Sequence, residues 1–180
     1  MSEVCLLDTN VASALWDELH GKHAAYRERH RQLADAGAHV FVSVITLAEV
    51  DYGLRVAPNV DAERQARVRT SMTAFEVVGV DHHVAETYAE IRSRLFRRFS
   101  PRDRRGRLTA KVVPDLWERT PDKLLGIQEN DLWQASLAIA RDYLFITTDR
   151  MSHIVSVTGS GHKLRVDNWD RTDVSGVCPL

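Results

Sequence analysis

Short apolar runs alternate with longer stretches of helical periodicity along most of the chain. Apolar runs of this length, bounded by polar or turn residues, are typical of buried strands. They predict strands at 4–7, 40–42, 77–80, 144–146 and 164–166. The periodic stretches between them predict helices at 11–19, 23–36, 43–56, 61–74, 81–99 and 130–143. This alternation favours an α/β fold with a mainly parallel sheet of about five strands.

One stretch before the last long helix lacks a clean period. Pro and Gly residues break regular structure, and four of them interrupt this stretch: Pro101, Gly106, Pro114 and Pro121. We interpret 99–125 as an insertion, with one short helix near 115–119. The chain is therefore predicted to be a single domain, 1–180, with a C-terminal tail at 170–180.

Four acidic residues occupy matching places in this pattern. Asp8 follows the first predicted strand and Asp149 follows the fourth. Glu49 lies in the helix after the second strand, and Asp131 opens the helix before the fourth. Ligands of such sheets bind outside the carboxyl ends of the strands. We therefore expect all four side chains to project towards one edge of the sheet.

Carboxylates that converge in one cleft repel one another unless a cation lies between them. Hard oxygen ligands without His or Cys select Mg²⁺ or Mn²⁺ over zinc. A carboxylate-held Mg²⁺ suits the cleavage of phosphodiesters, because it activates water and neutralises charge on the phosphate. The alternative is that each acid is structural, for example as a helix cap or a turn residue. The joint placement of all four acids favours the functional interpretation.

Composition adds one asymmetry to this picture. The 180 residues are 44% apolar and carry a net charge of −1, which suits one compact domain and excludes global disorder. Eight Arg residues between 92 and 107 nevertheless give that segment a net charge of +7. The two cysteines are too few for a disulfide framework. With no membrane span and no signal peptide, we expect a cytoplasmic protein that does not enter membranes.

The acidic positions carry a resemblance to a known family. Four segments resemble, in order, the motifs of PIN-domain nucleases: 6–10 (LLDTN), 43–49 (SVITLAE), 129–133 (ENDLW) and 147–149 (TTD). The likeness is greatest to the VapC-type toxins of bacterial toxin–antitoxin pairs. The segment 164–169 (LRVDNW) also resembles the closing strand of that family. Each motif alone is weak, but four in this order are specific.

The resemblance implies a PIN-like three-layer α/β/α fold and a Mg²⁺-dependent endoribonuclease, with Mn²⁺ as the substitute ion. Its substrate would be tRNA or rRNA, and a cognate VapB-type antitoxin would neutralise it. The resemblance also implies a homodimer. By the same likeness Asp8 and Asp131 are the main metal ligands. Glu49 and Asp149 complete the acidic site, by binding a second metal or by orienting water. Three residues would support this site: Asn10, Thr46 and Thr148.

Two features depart from the family pattern. Many relatives have Asn where this chain has Asp149, so the acidic set here is complete. The segment 99–125 is absent or much shorter in relatives, and the resemblance gives it no role. The alternative function is a PIN module that binds RNA or an antitoxin without catalysis.

The Arg cluster is the second candidate site. We use this name for Arg92, Arg94, Arg97, Arg98, Arg102, Arg104, Arg105 and Arg107. Arg matches phosphate with two hydrogen bonds and stacks on bases. An RNA-binding surface, a docking site for an acidic antitoxin tail, and a solvated helix end all fit this pattern. The sequence does not rank the first two.

Overall fold

The computed structural model describes residues 2–58, 61–100, 102–107, 127–159 and 163–170. Within these ranges the chain forms one sheet of five parallel strands. The strands are β1 (Val4–Leu7), β2 (His39–Ser43), β3 (Glu76–Val78), β4 (Leu144–Thr147) and β5 (Arg165–Asn168). The helices are α1 (Thr9–Trp16), α2 (His23–Asp35), α3 (Val44–Val56), α4 (Ala62–Met72), α5 (His82–Phe99), α6 (Glu129–Arg141) and α7 (Ser152–Val157). The predicted α/β class and parallel sheet are confirmed.

The strand order β3-β2-β1-β4-β5 places β1 at the centre of the sheet. The chain moves outward from β1 to β2 and β3, and then returns to place β4 on the other side of β1. A crevice forms at the carboxyl ends of the strands where the order reverses in this way. Here the crevice lies between β1 and β4. Leu7 pairs with Ile146, so the residues that follow the two strands meet at the same edge.

Helices cover both faces of the sheet and bury a separate core on each. Successive strand side chains point to opposite faces, so Leu6 packs against α5, α6 and α7 while Cys5 and Leu7 pack against α1, α2 and α4. These three strand residues are fully buried. The result is the three-layer α/β/α arrangement, and it makes the central strand a rigid support for the residue that follows it.

Three helices begin close to the predicted positions because a side chain caps them. Ser43, Asp61 and Asp81 each accept a hydrogen bond from the backbone N–H three residues later, at 2.9, 2.8 and 3.1 Å. Side chains of this type satisfy the unpaired donors of a first helical turn. The cap at Ser43 also fixes the start of α3, and with it the position of Glu49.

Two helices differ from the prediction. The prediction extended α1 to residue 19, but the helix ends at Trp16 because Asp17 adopts an extended backbone and forms an ion pair with Arg64 of α4. The sequence pattern did not predict α7. Arg94 and Arg98 donate to the last carbonyls of α7, so this short helix depends on tertiary contacts.

Several predictions lie wholly or mainly outside the described residues. They are the short helix at 115–119, most of the insertion at 99–125, and the tail beyond residue 170. In the parts of the chain that are described, none of the helices combines the length and the apolar character that a membrane span needs.

Candidate active site

Asp8 is the residue that continues the central strand. Its backbone N–H donates to the carbonyl of Ile146 at 2.9 Å, so the carboxyl end of β1 is fixed against β4. Its carboxylate caps α1 by accepting from the N–H of Thr9 at 2.7 Å, and it accepts from Oγ1 of Thr147 at 2.6 Å. Asp8 is 1% exposed. The predicted capping role and the predicted site role therefore fall on one side chain.

Burial raises the pKa of the Asp8 carboxyl to about 6. The hydrogen bonds from Thr147 and Thr9 oppose this rise, and the charges of Asp149 and Glu49 add to it. A buried carboxylate is disfavoured because it has lost its hydration. The ionised form of Asp8 is therefore destabilised in the folded protein unless a further positive charge or hydrogen-bond donor compensates for its lost hydration.

Asp131 is the second carboxyl group of the site, half-buried in the first turn of α6. Its Oδ2 accepts from the backbone N–H of Gln128 at 3.2 Å. Burial raises the pKa of Asp131 to about 7, and the charge of Asp8 is the next largest cause of that rise. The Asp8 carboxyl group is therefore close enough to oppose the ionisation of Asp131.

Glu49 reaches the same edge from α3, but hydrogen bonds to neighbouring side chains hold both of its oxygens. Asn130 donates to Oε1 at 2.7 Å. Thr9 donates to Oε2 at 2.5 Å, and Gln134 approaches the same oxygen at 3.4 Å. The Glu49 carboxylate is consequently clamped between α1 and α6 at the side of the Asp8 and Asp131 pair.

Asp149 closes the other side of the site and is exposed to solvent. Its backbone N–H donates to Oγ1 of Thr147 at 3.0 Å, and Nδ2 of Asn10 donates to its Oδ2 at 3.2 Å. Nδ2 of Asn168 donates to its carbonyl at 2.9 Å. Asn10 was predicted from the sequence to reach this pocket, and the contact with Asp149 places it there.

A cavity of about 330 Å³ opens beside these acids. Asp131 and Asp149 form part of its wall, and the segment from Arg150 to Ile154 forms most of the rest. Met151 within that segment has a φ of 47°, a left-handed conformation that is uncommon for residues other than Gly. The cavity gives a ligand access to the two acids from solvent.

The chemistry of these groups fits a hard divalent cation. Asp8 is buried and Asp131 is half-buried, the charged forms of both carboxyl groups are disfavoured, and a cation would stabilise those charged forms. Within the described ranges, however, no three His, Cys, Asp or Glu side chains are arranged as a group able to hold a metal ion. The fit to a cation therefore rests on the Asp8 and Asp131 pair.

The structure adds residues that the sequence analysis did not select. Thr147, and not the predicted Thr148, donates to the Asp8 carboxylate; Thr148 accepts from Asn168 through its carbonyl. Thr46 does not hydrogen-bond to the acidic side chains but donates to Oε1 of Gln134 at 2.9 Å. The pattern Thr147-Thr148-Asp149 did not distinguish the two threonines, because only the strand register decides which one faces Asp8.

The Arg cluster does not behave as one surface. Several of its members bind neighbouring protein groups: Arg92 pairs with Glu129, Arg94 with Glu90, and Arg107 with Asp103. Arg98 and Arg102 donate to backbone carbonyls. These contacts stabilise the end of α5 and the turn that follows it.

The remaining members of the Arg cluster are Arg97, Arg104 and Arg105, and all three are exposed. Within the described residues, no hydrogen bond or ion pair engages their guanidinium groups. These three are consequently the arginines best placed to meet an external anion.

Comparison with known proteins identifies the family. Residues 5–156 match the family model described as the PIN domain, which covers most of the chain. The chain therefore belongs to the PIN-domain family. No curated protein matches the chain in sequence.

Solved structures share the fold at low sequence identity. A chain in the crystal structure of VapBC2 from Rickettsia felis, bound to a promoter DNA fragment, aligns with a TM-score of 0.65 and 21% identity over 93% of this chain and 99% of that chain. The DNA-bound VapBC of Salmonella typhimurium gives 0.64 and 20% over 94% and 99%. VapBC-5 from Mycobacterium tuberculosis, a member of the VapBC family of toxin–antitoxin systems, gives 0.52 and 22% over 92% and 98%. At these identities the likeness establishes a common fold.

Proposed function

We propose that this protein is a metal-dependent endoribonuclease toxin of the VapC type. The observation that carries the proposal is the carboxyl pair of buried Asp8 and half-buried Asp131, both with raised pKa values, at the reversal point of a PIN-domain sheet. Membership of the PIN-domain family and the shared fold with chains of VapBC complexes support it. The reaction is hydrolysis of an RNA phosphodiester bond, with tRNA or rRNA as substrate.

In this proposal Asp8 and Asp131 hold Mg²⁺, with Mn²⁺ as the substitute ion. Such an ion, when bound, acts as a Lewis acid and lowers the pKa of water. Thr147 and the N–H of Thr9 fix the orientation of the Asp8 carboxylate, as groups behind a metal ligand commonly do.

The remaining acids and their supporting residues orient the attacking water and the phosphate. Glu49 stays in place through Thr9 and Asn130, and Asp149 through Asn10. Asn10, Thr46 and Thr148 remain in the proposal as supporting residues. Thr46 acts indirectly, through Gln134.

The exposed part of the Arg cluster supplies the RNA contact in this proposal. Arg97, Arg104 and Arg105 lie on the surface, where they can pair with the sugar–phosphate backbone. The same groups suit an acidic tail of a VapB-type antitoxin, and both ligands can use one surface at different times. A homodimer acting in the cytoplasm completes the proposal.

The second candidate function is a non-catalytic PIN module that binds RNA or an antitoxin. One observation favours it: no three acids in the described ranges are arranged to hold a metal ion. Such a module would bind RNA equally well in Mg²⁺ and in EDTA and would leave the RNA intact.

The deciding experiment incubates the purified protein with total tRNA and rRNA. We expect discrete cleavage products in Mg²⁺, none in EDTA, and none with an Asp8→Asn variant. Sequencing the 5′ ends of the products identifies the RNA and the cleaved bond. Equal cleavage by the Asp8→Asn variant would exclude this site as the source of activity, and binding without cleavage in either condition would favour the non-catalytic module.

A further inference from the structure

Behind Glu49 lies a row of polar side chains in the protein interior. Ser43, Thr46 and Gln134 are each 0% exposed. Burying a polar group costs free energy unless it has a hydrogen-bond partner. Gln134 is the largest of the three, and it lies on α6 one turn beyond Asn130, the residue that binds the other oxygen of Glu49. The amide of Gln134 therefore lies between the buried hydroxyl groups of α3 and the Glu49 carboxylate.

The hydrogen bonds form a continuous chain that ends at the Glu49 carboxylate. The hydroxyl groups of Ser43 and Thr46 are 3.0 Å apart, and Thr46 donates to Oε1 of Gln134 at 2.9 Å. Nε2 of Gln134 donates to Oγ1 of Thr9 at 3.0 Å. Oγ1 of Thr9 lies 3.3 Å from Oγ1 of Thr46 and 2.5 Å from Oε2 of Glu49, and its proton goes to the nearer, charged acceptor. A hydroxyl has one proton to donate, so the direction of the whole chain follows from these contacts.

The orientation of the Gln134 amide determines that direction. Its nitrogen lies 3.4 Å from Oε2 of Glu49, and a carboxylate accepts hydrogen bonds but cannot donate them. The reversed amide would place Oε1 against that carboxylate and against a hydroxyl whose proton is already directed to Glu49. The reversed orientation is therefore disfavoured at both ends.

We propose that Gln134 is a positioning residue for the reaction of this site. Its amide aligns the Thr9 hydroxyl, and both groups hold the Glu49 carboxylate beside the Asp8 and Asp131 pair. Because Gln134 is fully buried, it cannot contact RNA, and its influence passes through Thr9 and Glu49. The inference rests on the proposed nuclease function, which it extends to a residue outside the acidic set.

The first test replaces Gln134 by Met, which has a similar size and no amide. We expect kcat for RNA cleavage to fall about 10- to 100-fold, as is common when the groups that orient a site are lost. KM for RNA should not change, since the buried side chain does not contact the substrate. Ser136→Ala is the matched control, because Ser136 is equally buried on α6 and donates only within the helix, to the carbonyl of Leu132 at 2.7 Å. Its kcat should equal that of the wild type.

The second test asks whether Gln134 acts through Glu49. Gln134→Met is introduced into a Glu49→Gln background, and cleavage is followed in single turnovers with excess enzyme. We expect no further loss of rate in the double variant. A kcat unchanged by Gln134→Met, or an equal fractional loss in both backgrounds, would overturn the proposal.

A third measurement does not depend on cleavage. Urea unfolding in EDTA of the wild type, the two single variants and the double variant gives the coupling between the two side chains. We expect the double variant to lose less stability than the two single losses predict together, and additive losses would overturn the inference. If the wild type cleaves no RNA, the proposed function fails while this cycle still decides the hydrogen-bond chain.

If Gln134→Met does not fold, Gln134→Leu takes its place in every arm. It likewise has no amide, so it loses both the acceptor for Thr46 and the donor to Thr9. The same fall in kcat at constant KM is expected. A wild-type kcat for this variant would refute the positioning role.

Discussion

Replacing Asp8 by Asn removes a buried carboxyl group while preserving its shape. The Asn oxygen can still accept from the N–H of Thr9, and the Asn nitrogen can donate to the hydroxyl of Thr147 in place of the present bond. Without a bound cation the wild type must keep an ionised Asp8 in a site that is 1% exposed. We therefore expect the Asp8→Asn variant to be more stable than the wild type in EDTA at slightly alkaline pH.

The size of the effect follows from the pKa of Asp8, which rises from 3.8 to about 6 on folding. A shift of this size corresponds to about 3 kcal/mol in the free energy of unfolding. Between pH 3.8 and about 6 the folded protein binds more protons at Asp8 than the unfolded chain does. The neutral Asp8 carboxyl group therefore makes its full contribution to stability below the unfolded pKa. It is lost as the pH rises through that window. The stability advantage of Asp8→Asn should thus be near zero at about pH 4 and should approach about 3 kcal/mol at about pH 8.

The assay is urea unfolding of both proteins in EDTA across this pH range, followed by Trp fluorescence. Asp149→Asn is the matched control, because it removes an exposed acid of the same site and should give a much smaller gain in stability, through the loss of its charge beside Asp8. A difference between wild type and Asp8→Asn that does not vary with pH would refute the reasoning. So would a variant less stable than the wild type at about pH 8.

Three further predictions follow from other contacts. Saturating Mg²⁺ at about 100 times its Kd should stabilise the wild type by about 2.7 kcal/mol near pH 8 and should not stabilise Asp8→Asn, as measured by urea unfolding. Replacing Arg104 and Arg105 together by Ala should weaken RNA binding and reduce its salt dependence by about two phosphate contacts in a filter-binding titration, and an unchanged slope would exclude them from the interface. Asp61→Ala should cost about 1 kcal/mol in unfolding free energy through the lost cap of α4. Its cleavage rate should stay at the wild-type value, and a loss of activity would show that α4 contributes to the site.

The sequence predicted the positions of the four acids because each lies next to a local signal. Asp8 follows an apolar run, and Asp131 lies in the first turn of a strongly periodic helix. The parallel α/β class then placed the acids at one sheet edge without knowledge of any contact. The burial of Asp8 was not predicted, because it depends on the strand order that places β1 at the centre of the sheet.

The supporting contacts depended on distances that no local pattern encodes. Thr147 and Thr148 are adjacent and identical, and only the pairing of β4 with β1 turns the first towards Asp8. Gln134 lies among apolar residues of α6, where a helical pattern suggests core packing. Its hydrogen bonds cross 125 residues to Thr9 and 88 to Thr46. Partners so distant in sequence leave no local pattern that would identify them.

The same separation in sequence affects folding during synthesis on the ribosome. The central strand β1 is synthesised before its neighbour β4, and the bond from Thr147 to Asp8 joins residues 139 positions apart. Pairing over such distances slows folding, since a long loop must close before the contact forms. At about 5–20 residues per second, the ribosome needs several seconds to deliver those partners. We therefore expect a nascent chain to lack a completed acidic site until α6 and β4 have emerged.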